Sequence, residues 1–380
     1  MSLYLDFNAS GIIDKRVIKE ICSTYENVIG NADSRTHDFG EKARQVVESA
    51  RESLAKLLNV RSDEVIFTSG ATESCNIAIQ GLKEYGLKNN KTHIITSSIE
   101  HKAVLETVKY METQGFEVDF IKPNSEGIVE AECIISKIKE NTLLVSLMHV
   151  NNETGVIQEV DKLGKYLKEK NILFHIDATQ SVGKLIPEIQ KLEYNMLSLS
   201  AHKFGGPQGI GALILKRTRY KLPPVKNISF GGAQEKGIRP GTLPVALISG
   251  LGLISKICLE EHVKKYEETT NLKNELIDLI KNSNLEYSFN GNIDKTISNT
   301  INVSFIGKSS EAVMLTTKDI ISISNGSACT SKNYTGSYVL KEMGLEDSII
   351  NSAVRISFDN KNREEIITNF KLFLDKVSKL

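Results

Sequence analysis

The chain has 380 residues, more than a single compact core usually serves, so two domains are expected. Lysine plus arginine balances aspartate plus glutamate at 47 each, which excludes a global basic field and, with it, direct nucleic-acid binding. No run approaches the ~18 apolar residues of a membrane span, and the start MSLYLDFN carries no secretory pattern. A cytoplasmic protein of ordinary globular composition is therefore expected, with no membrane partner.

Residues 3–7 read as a short strand, followed by a loop through Asn8 and Gly11 and a helix from Asp14. Residues 30–40 form a polar loop bounded by glycines, and an amphipathic helix follows from 41 to about 58. Strands at 65–68, 93–97, 116–121, 143–148 and 172–177 then alternate with helices at 71–85, 102–114, 131–139 and 162–170. The alternating Leu/Ser run 197–200 reaches a tight turn at His202, Lys203, Gly205, Gly206 and Pro207, and 210–215 returns as one arm of a hairpin. Near-continuous apolar strands separated by helices predict an α/β domain at 15–260, its mostly parallel sheet covered on both faces. A long charged helix follows at about 254–281, with strands at 300–305, 320–323 and 353–358 and a C-terminal helix. The alternation is lost here, so residues 1–14 and 261–380 are expected to form a smaller α+β domain.

Five cysteines, at 22, 75, 133, 258 and 329, lack any CxxC pairing, which argues against a disulfide framework or a structural zinc site. Cys22, Cys75, Cys133 and Cys258 lie among helical or apolar neighbours and are expected to fill small core spaces. Cys329 differs: its neighbours are Gly326, Ser327, Ser331 and Lys332, in a stretch of about 322–336 expected to be a mobile, partly exposed loop.

In an open α/β sheet, ligands collect beyond the C-terminal ends of the strands. The first such end runs Ser69-Gly-Ala-Thr-Glu-Ser74 into a helix. Small residues and hydroxyls at a helix start suit a phosphate, although an N-cap by Ser69 or Thr72 would leave the same pattern. It is neither a Walker loop nor a dinucleotide fingerprint. Later ends carry His101, Asn152, Asp177 with Gln180, and Ser200 with His202 and Lys203. Each alone reads equally as a cap or a turn. Together they suit pyridoxal 5'-phosphate, which needs a lysine for the Schiff base, an acid at its pyridine nitrogen and a phosphate cradle. Lys203 supplies the amine, Asp177 the acid, and Ala71, Thr72, Ser200 and His202 the cradle. His101 would stack on the ring face, and Asn152 and Gln180 would bond its ring oxygen.

The ordered strings FTSGATES, MHVNNETG, HIDATQSVGK, LSLSAHKFGGPQGIGAL, Arg239-Pro-Gly-Thr-Leu-Pro244 and Asn325-Gly-Ser-Ala-Cys-Thr-Ser331 resemble the cysteine desulfurases almost end to end. These are enzymes of the PLP-dependent transferase (aminotransferase) type I fold. The resemblance implies Lys203 at the Schiff base, Asp177 at the ring nitrogen, and His101 in stacking and proton transfer. It implies Thr72, Ser200, His202 and Thr242 on the phosphate, with Thr242 supplied by the second subunit of a homodimer. Asn152 and Arg355 would bind the carboxylate of L-cysteine. Cys329, as a thiolate, would take the substrate sulfur as a persulfide and release L-alanine. Its sulfur would pass to acceptor proteins, for iron–sulfur cluster assembly or DNA phosphorothioate modification. Cys329 would be a metal ligand only if a transient iron–sulfur cluster were bound during transfer.

The Gly-Ser-Ala-Cys context resembles the long-loop branch. Phe7, Ser10, Gly11, Thr335, Gly336, Asp359 and Asn360 depart from the usual residues without removing a catalytic group. The alternative on the same fold is an aminotransferase or a selenocysteine/cysteine lyase in which Cys329 is incidental.

Overall fold

The computed structural model describes residues 2–218, 221–326 and 336–380. Its strands are β1 (Leu3–Tyr4), β2 (Val65–Thr68), β3 (His93–Ser97), β4 (Glu117–Ile121), β5 (Thr142–Met148), β6 (Leu173–Asp177), β7 (Met196–Ser200) and β8 (Gly211–Leu215), then β9 (Tyr287–Phe289), β10 (Thr300–Phe305), β11 (Ile321–Ser322) and β12 (Ala353–Ser357). A seven-stranded sheet has the order β2-β8-β7-β6-β5-β3-β4. It is parallel except for β8, which returns antiparallel between β7 and β2, as the hairpin reading expects. Alternate residues serve opposite faces. Phe67, Val145, Phe174, Leu197 and Ile214 join one buried cluster, while Ile66, Leu144, Met196 and Leu213 join another. Because β2, β3, β5, β6 and β7 all run the same way, their C-terminal ends meet on one edge.

A separate core packs Leu5, Leu276, Ile301, Phe305, Val354, Phe370 and Phe373 around the antiparallel sheet β12-β10-β9. The N-terminal strand β1 pairs parallel with β11, which brings residues 2–8 to this part of the molecule.

Several elements differ from the sequence reading. The second helix begins at Asp38 instead of 41, because the His37 ring accepts the Gly40 amide at 3.1 Å and Asp38 and Glu41 fill the first turn. The helix expected over 71–85 is two, Ala71–Gln80 and Lys83–Lys88. The break is at Gly81, whose carbonyl accepts from Lys226 N at 2.8 Å. The long helix is Val245–Lys281, beginning well before 254. Its first turns bury Ala246, Ile248, Gly250, Leu251 and Gly252, so they carry no one-sided pattern to read. It runs from the first core into the second, where Leu272, Leu276 and Ile280 are buried. The strand β9 and the helix Ser310–Thr317 were not anticipated.

The cysteine reading is half corrected. Cys75 and Cys258 are buried, but Cys22 and Cys133 are exposed, each on the outward side of its helix. Helical neighbours do not by themselves say which face a residue takes.

Candidate active site

The phosphate cradle begins where β2 gives way to the helix Ala71–Gln80. Gly70 is the N-cap with φ +154°, and no side chain caps the helix, so neither Ser69 nor Thr72 has the capping role. The Ala71 amide instead donates to Ser200 Oγ at the end of β7, 2.7 Å away. A Cβ on Gly70 would stand 3.1 Å from that same oxygen. Thr72 follows in the first turn, exposed, where helix amides have no intrahelical acceptor. Glu73 is tied outward, accepting from Ser69 N and, at 3.1 Å, from Arg239 Nε.

Asp177 ends β6 and is buried, with Oδ1 accepting from Thr179 N at 3.0 Å and from Thr179 Oγ1. Beneath it His175 bonds Ser146 through Nδ1 (2.8 Å) and Ser198 through Nε2 (2.9 Å), and burial holds its pKa at about 4. His101 caps the helix Lys102–Thr113, its Nδ1 accepting from Ala103 N at 3.1 Å. The neutral ring therefore carries its proton on Nε2. Burial lowers the His101 pKa, Asp177 opposes that shift and Lys203 adds to it, so the imidazole lies within reach of both charges. Burial, assisted by Lys203, also brings His202 down to about 4.

Lys203 closes a one-turn helix after β7, and its Nζ donates to the carbonyls of Asn8 and Ala9 at 2.7 and 2.8 Å. Asn8 is the residue that sequence reasoning missed. Its carbonyl also accepts from Gln180 Nε2 at 3.0 Å, and its Nδ2 donates to the Asn152 carbonyl and to Thr300 Oγ1. The chain start thus bridges the lysine and the substrate-side residues. A strand-end search of the large sheet could not find it, because Asn8 follows β1, which pairs with β11 outside that sheet.

Arg355, buried on β12, donates through Nη1 to the Asn152 carbonyl at 2.9 Å and through Nη2 to Asp6 Oδ1 at 2.6 Å. Arg355 Nε and Asn152 Oδ1 are buried with no hydrogen-bond partner among the described residues. Gln180 is occupied at both ends, since its Oε1 accepts from Lys184 Nζ at 3.3 Å. Of the two N–H groups on Gln180 Nε2, one donates to the Asn8 carbonyl, which leaves the second for the expected bond to a cofactor ring oxygen. Thr242 is exposed. Cys329, with the loop reading made for it, lies outside the described residues, as do Ser327, Ser331 and Thr335.

A cleft of about 420 Å³ is lined by Lys203 together with Phe7, Lys184, Cys258, His262 and Asp359. Asp177, Ser200 and His101 do not line it, so this cleft is not where the strand ends converge.

The chain matches the aminotransferase class-V profile over residues 3–370 and therefore belongs to that family. A cysteine desulfurase IscS of Vibrio vulnificus (strain YJ016) is 40% identical over 370 residues, covering 97% of this chain and 90% of the relative. A solved NifS-like protein superposes with a TM-score of 0.91 at 35% identity over 100% of both chains. DndA from Streptomyces lividans superposes at 0.81 with 40% identity, covering 91% of this chain and 97% of that one. Within its family, then, this chain belongs to the cysteine desulfurases, which depend on pyridoxal phosphate.

The residues present fit that cofactor. The Ser200 hydroxyl accepts from Ala71 N and keeps its own proton to donate, beside a glycine that leaves no Cβ in the way. The strand ends also carry a buried carboxylate at Asp177, an Nε2–H imidazole at His101 and a lysine amine at Lys203. The unpartnered Arg355 Nε is a donor suited to a carboxylate ligand.

Proposed function

We propose that this enzyme converts L-cysteine to L-alanine, with Lys203, Asp177, His101 and Cys329 as its working groups. Ala71, Thr72, Ser200 and His202 would hold the cofactor phosphate, joined by Thr242 from a second copy in a homodimer. Bound pyridoxal phosphate supplies an aldehyde for the substrate amine and an electron-withdrawing ring beside the substrate Cα. Asp177, anchored by Thr179, would present its carboxyl group to the ring nitrogen. Lys203 moves a proton at the substrate Cα, and the two carbonyls it now bonds orient its amine. His101 presents Nε2–H to the ring face.

Arg355 and Asn152 would hold the substrate carboxylate. The Cys329 thiolate attacks the substrate sulfur, an S–S bond forms and the substrate C–S bond breaks. The electron pair of that bond stays with the three-carbon fragment, which takes a proton and leaves as alanine. Sulfur then passes from Cys329 to a protein acceptor serving iron–sulfur cluster assembly or DNA phosphorothioate modification. Nucleic acid would be reached through that acceptor, consistent with a net charge of zero. We place the enzyme in the cytoplasm, and no described helix is long and apolar enough to cross a membrane. The division of the chain near residue 260 into a cofactor domain and a smaller one belongs to the same reading, supported by the separate core around β10 and β12.

The observation that carries the proposal is that the parallel strands end on one edge of the sheet, where the Ala71 amide meets Ser200 Oγ, Asp177 ends β6, and His101 and Lys203 follow β3 and β7. Cys329→Ala tests it. The variant should keep the cofactor's visible absorbance and its change on adding cysteine, while sulfide release falls to background. Mass spectrometry of the native protein should show one added sulfur on Cys329. Normal turnover by Cys329→Ala would refute the persulfide route.

A further inference from the structure

Glu153 has a buried carboxyl that none of the roles above uses. It sits in the turn after β5, where its amide donates to Asn151 Oδ1 at 2.9 Å and its carbonyl accepts from Asn302 Nδ2 at 3.0 Å, so its backbone is fixed from two sides. Its Oε2 accepts from Ser337 Oγ. That serine in turn caps the helix Tyr338–Glu342, accepting from Leu340 N at 3.1 Å. The same Oε2 faces Gly326: with φ at +83°, a Cβ there would stand only 2.6 Å from it. Gly326 is itself turned by Ser324, whose Oγ accepts its amide at 3.1 Å, and Ser324 bridges to Arg355 on β12. One carboxyl oxygen therefore accepts from Ser337, on the C-terminal side of Cys329, and occupies the space into which a side chain on Gly326, on its N-terminal side, would project.

We propose that Glu153 is a positioning residue for sulfur transfer, holding Ser337 by a hydrogen bond where Gly326 packs closely against the same carboxyl, and so fixing the span from which Cys329 must reach the substrate sulfur. The inference rests on the reading of Cys329 as the sulfur-accepting thiol. The physical argument is one of effective concentration. A tethered group meets its target at a rate set by the placement of its two anchors and the length of chain between them. Holding reacting groups in register accounts for a large share of an intramolecular rate. The charged groups acting on Glu153 are Arg355 on β12 and Lys102 at a helix start; both favour its ionised form, and burial outweighs them, so its pKa lies at about 7. In either form Oε2 can accept from Ser337, so the clamp does not require one charge state.

The test compares Glu153→Ala, Glu153→Gln and Ser337→Ala with the native holoenzyme. In single turnover, Glu153→Ala and Ser337→Ala should slow persulfide formation on Cys329 about tenfold, with cysteine affinity within about twofold of native. Glu153→Gln keeps an acceptor for Ser337 and should stay within about threefold of native. The double variant Glu153→Ala/Ser337→Ala should be no slower than either single one, because both cut the same tie. Without cofactor, iodoacetamide should alkylate Cys329 faster in the two alanine variants than in the native chain. Additive effects, an equal loss of cysteine binding, or a native alkylation rate would each overturn the proposal. Should Glu153→Ala fail to fold, Ser337→Ala and Glu153→Gln decide it. Failure of the functional reading shows separately, as sulfide release by Cys329→Ala.

Discussion

At the scale of single residues, the proposed site for the substrate carboxylate turns on Arg355. Its guanidinium is shared between Asp6 and the Asn152 carbonyl, while the buried Nε has no hydrogen-bond partner among the described residues. An arriving carboxylate can meet Nε and compete with Asp6 for the adjacent edge, which a lysine's point charge cannot do. Arg355→Lys should therefore raise KM for cysteine by about 10- to 100-fold, with kcat falling less, since a charge-assisted hydrogen bond contributes about 1.5–3 kcal/mol. Steady-state kinetics check this, and an unchanged KM would remove Arg355 from the carboxylate site. The same residue shows how far sequence reading reached. Arg355 was legible from the family motif. Its partner Asp6 was not, since the Arg355 to Asp6 pair joins positions 349 residues apart.

At the scale of elements, the helix Val245–Lys281 fixes the frame on which Lys203 rests. It crosses the helix Asp38–Leu58 so closely that a Cβ on Gly252 would lie 2.5 Å from Ala50 Cα and 2.6 Å from Ala50 Cβ. Backbone contact at that range leaves no flexible atom to move aside. Gly252→Ala should destabilise the protein by about 1–3 kcal/mol through overpacking, although alanine favours helix over glycine. Thermal or denaturant unfolding measures it, and an unchanged or raised midpoint would show that the crossing relaxes. The early start of this helix escaped the sequence reading for the same reason: a segment buried on every side presents no polar stripe. The strands of the large sheet were legible, because short apolar runs punctuated by polar ends are a local signal.

At the scale of the whole molecule, acid should be the weak side of the fold. Burial holds His149, His175 and His202 at about 4, against an ordinary value near 6.5. The unfolded chain gains those three protons as pH falls through 6.5 while the folded one does not, so their stabilisation is present above 6.5 and lost toward 4. Glu100 and Glu153, raised by burial to about 8 and about 7, run the other way: their contribution is full below about 4.5 and lost as pH rises through those values. Between 4.5 and 6.5 the three histidines outnumber the two carboxyls by one proton. Stability of the cofactor-free protein should accordingly fall on acidifying through that window, with the lowered pKa values of His93, His101 and His262 acting in the same direction. Urea midpoints at pH 7, 6 and 5 test this, and a flat or rising series would contradict it.

What the sequence determined by itself was the α/β alternation, the hairpin after Lys203, and the polar strand ends of a pyridoxal-phosphate enzyme, because periodicity and short motifs are carried by neighbouring residues. The tertiary structure decided which of those polar groups have partners already. It brought Asn8 to Lys203 across 195 positions, turned Cys22 and Cys133 outward, and set Glu153 beside Gly326 and Ser337. Those outcomes depend on which surfaces meet once the two cores are packed. Contacts between residues far apart in the chain leave no periodic trace from which to read them.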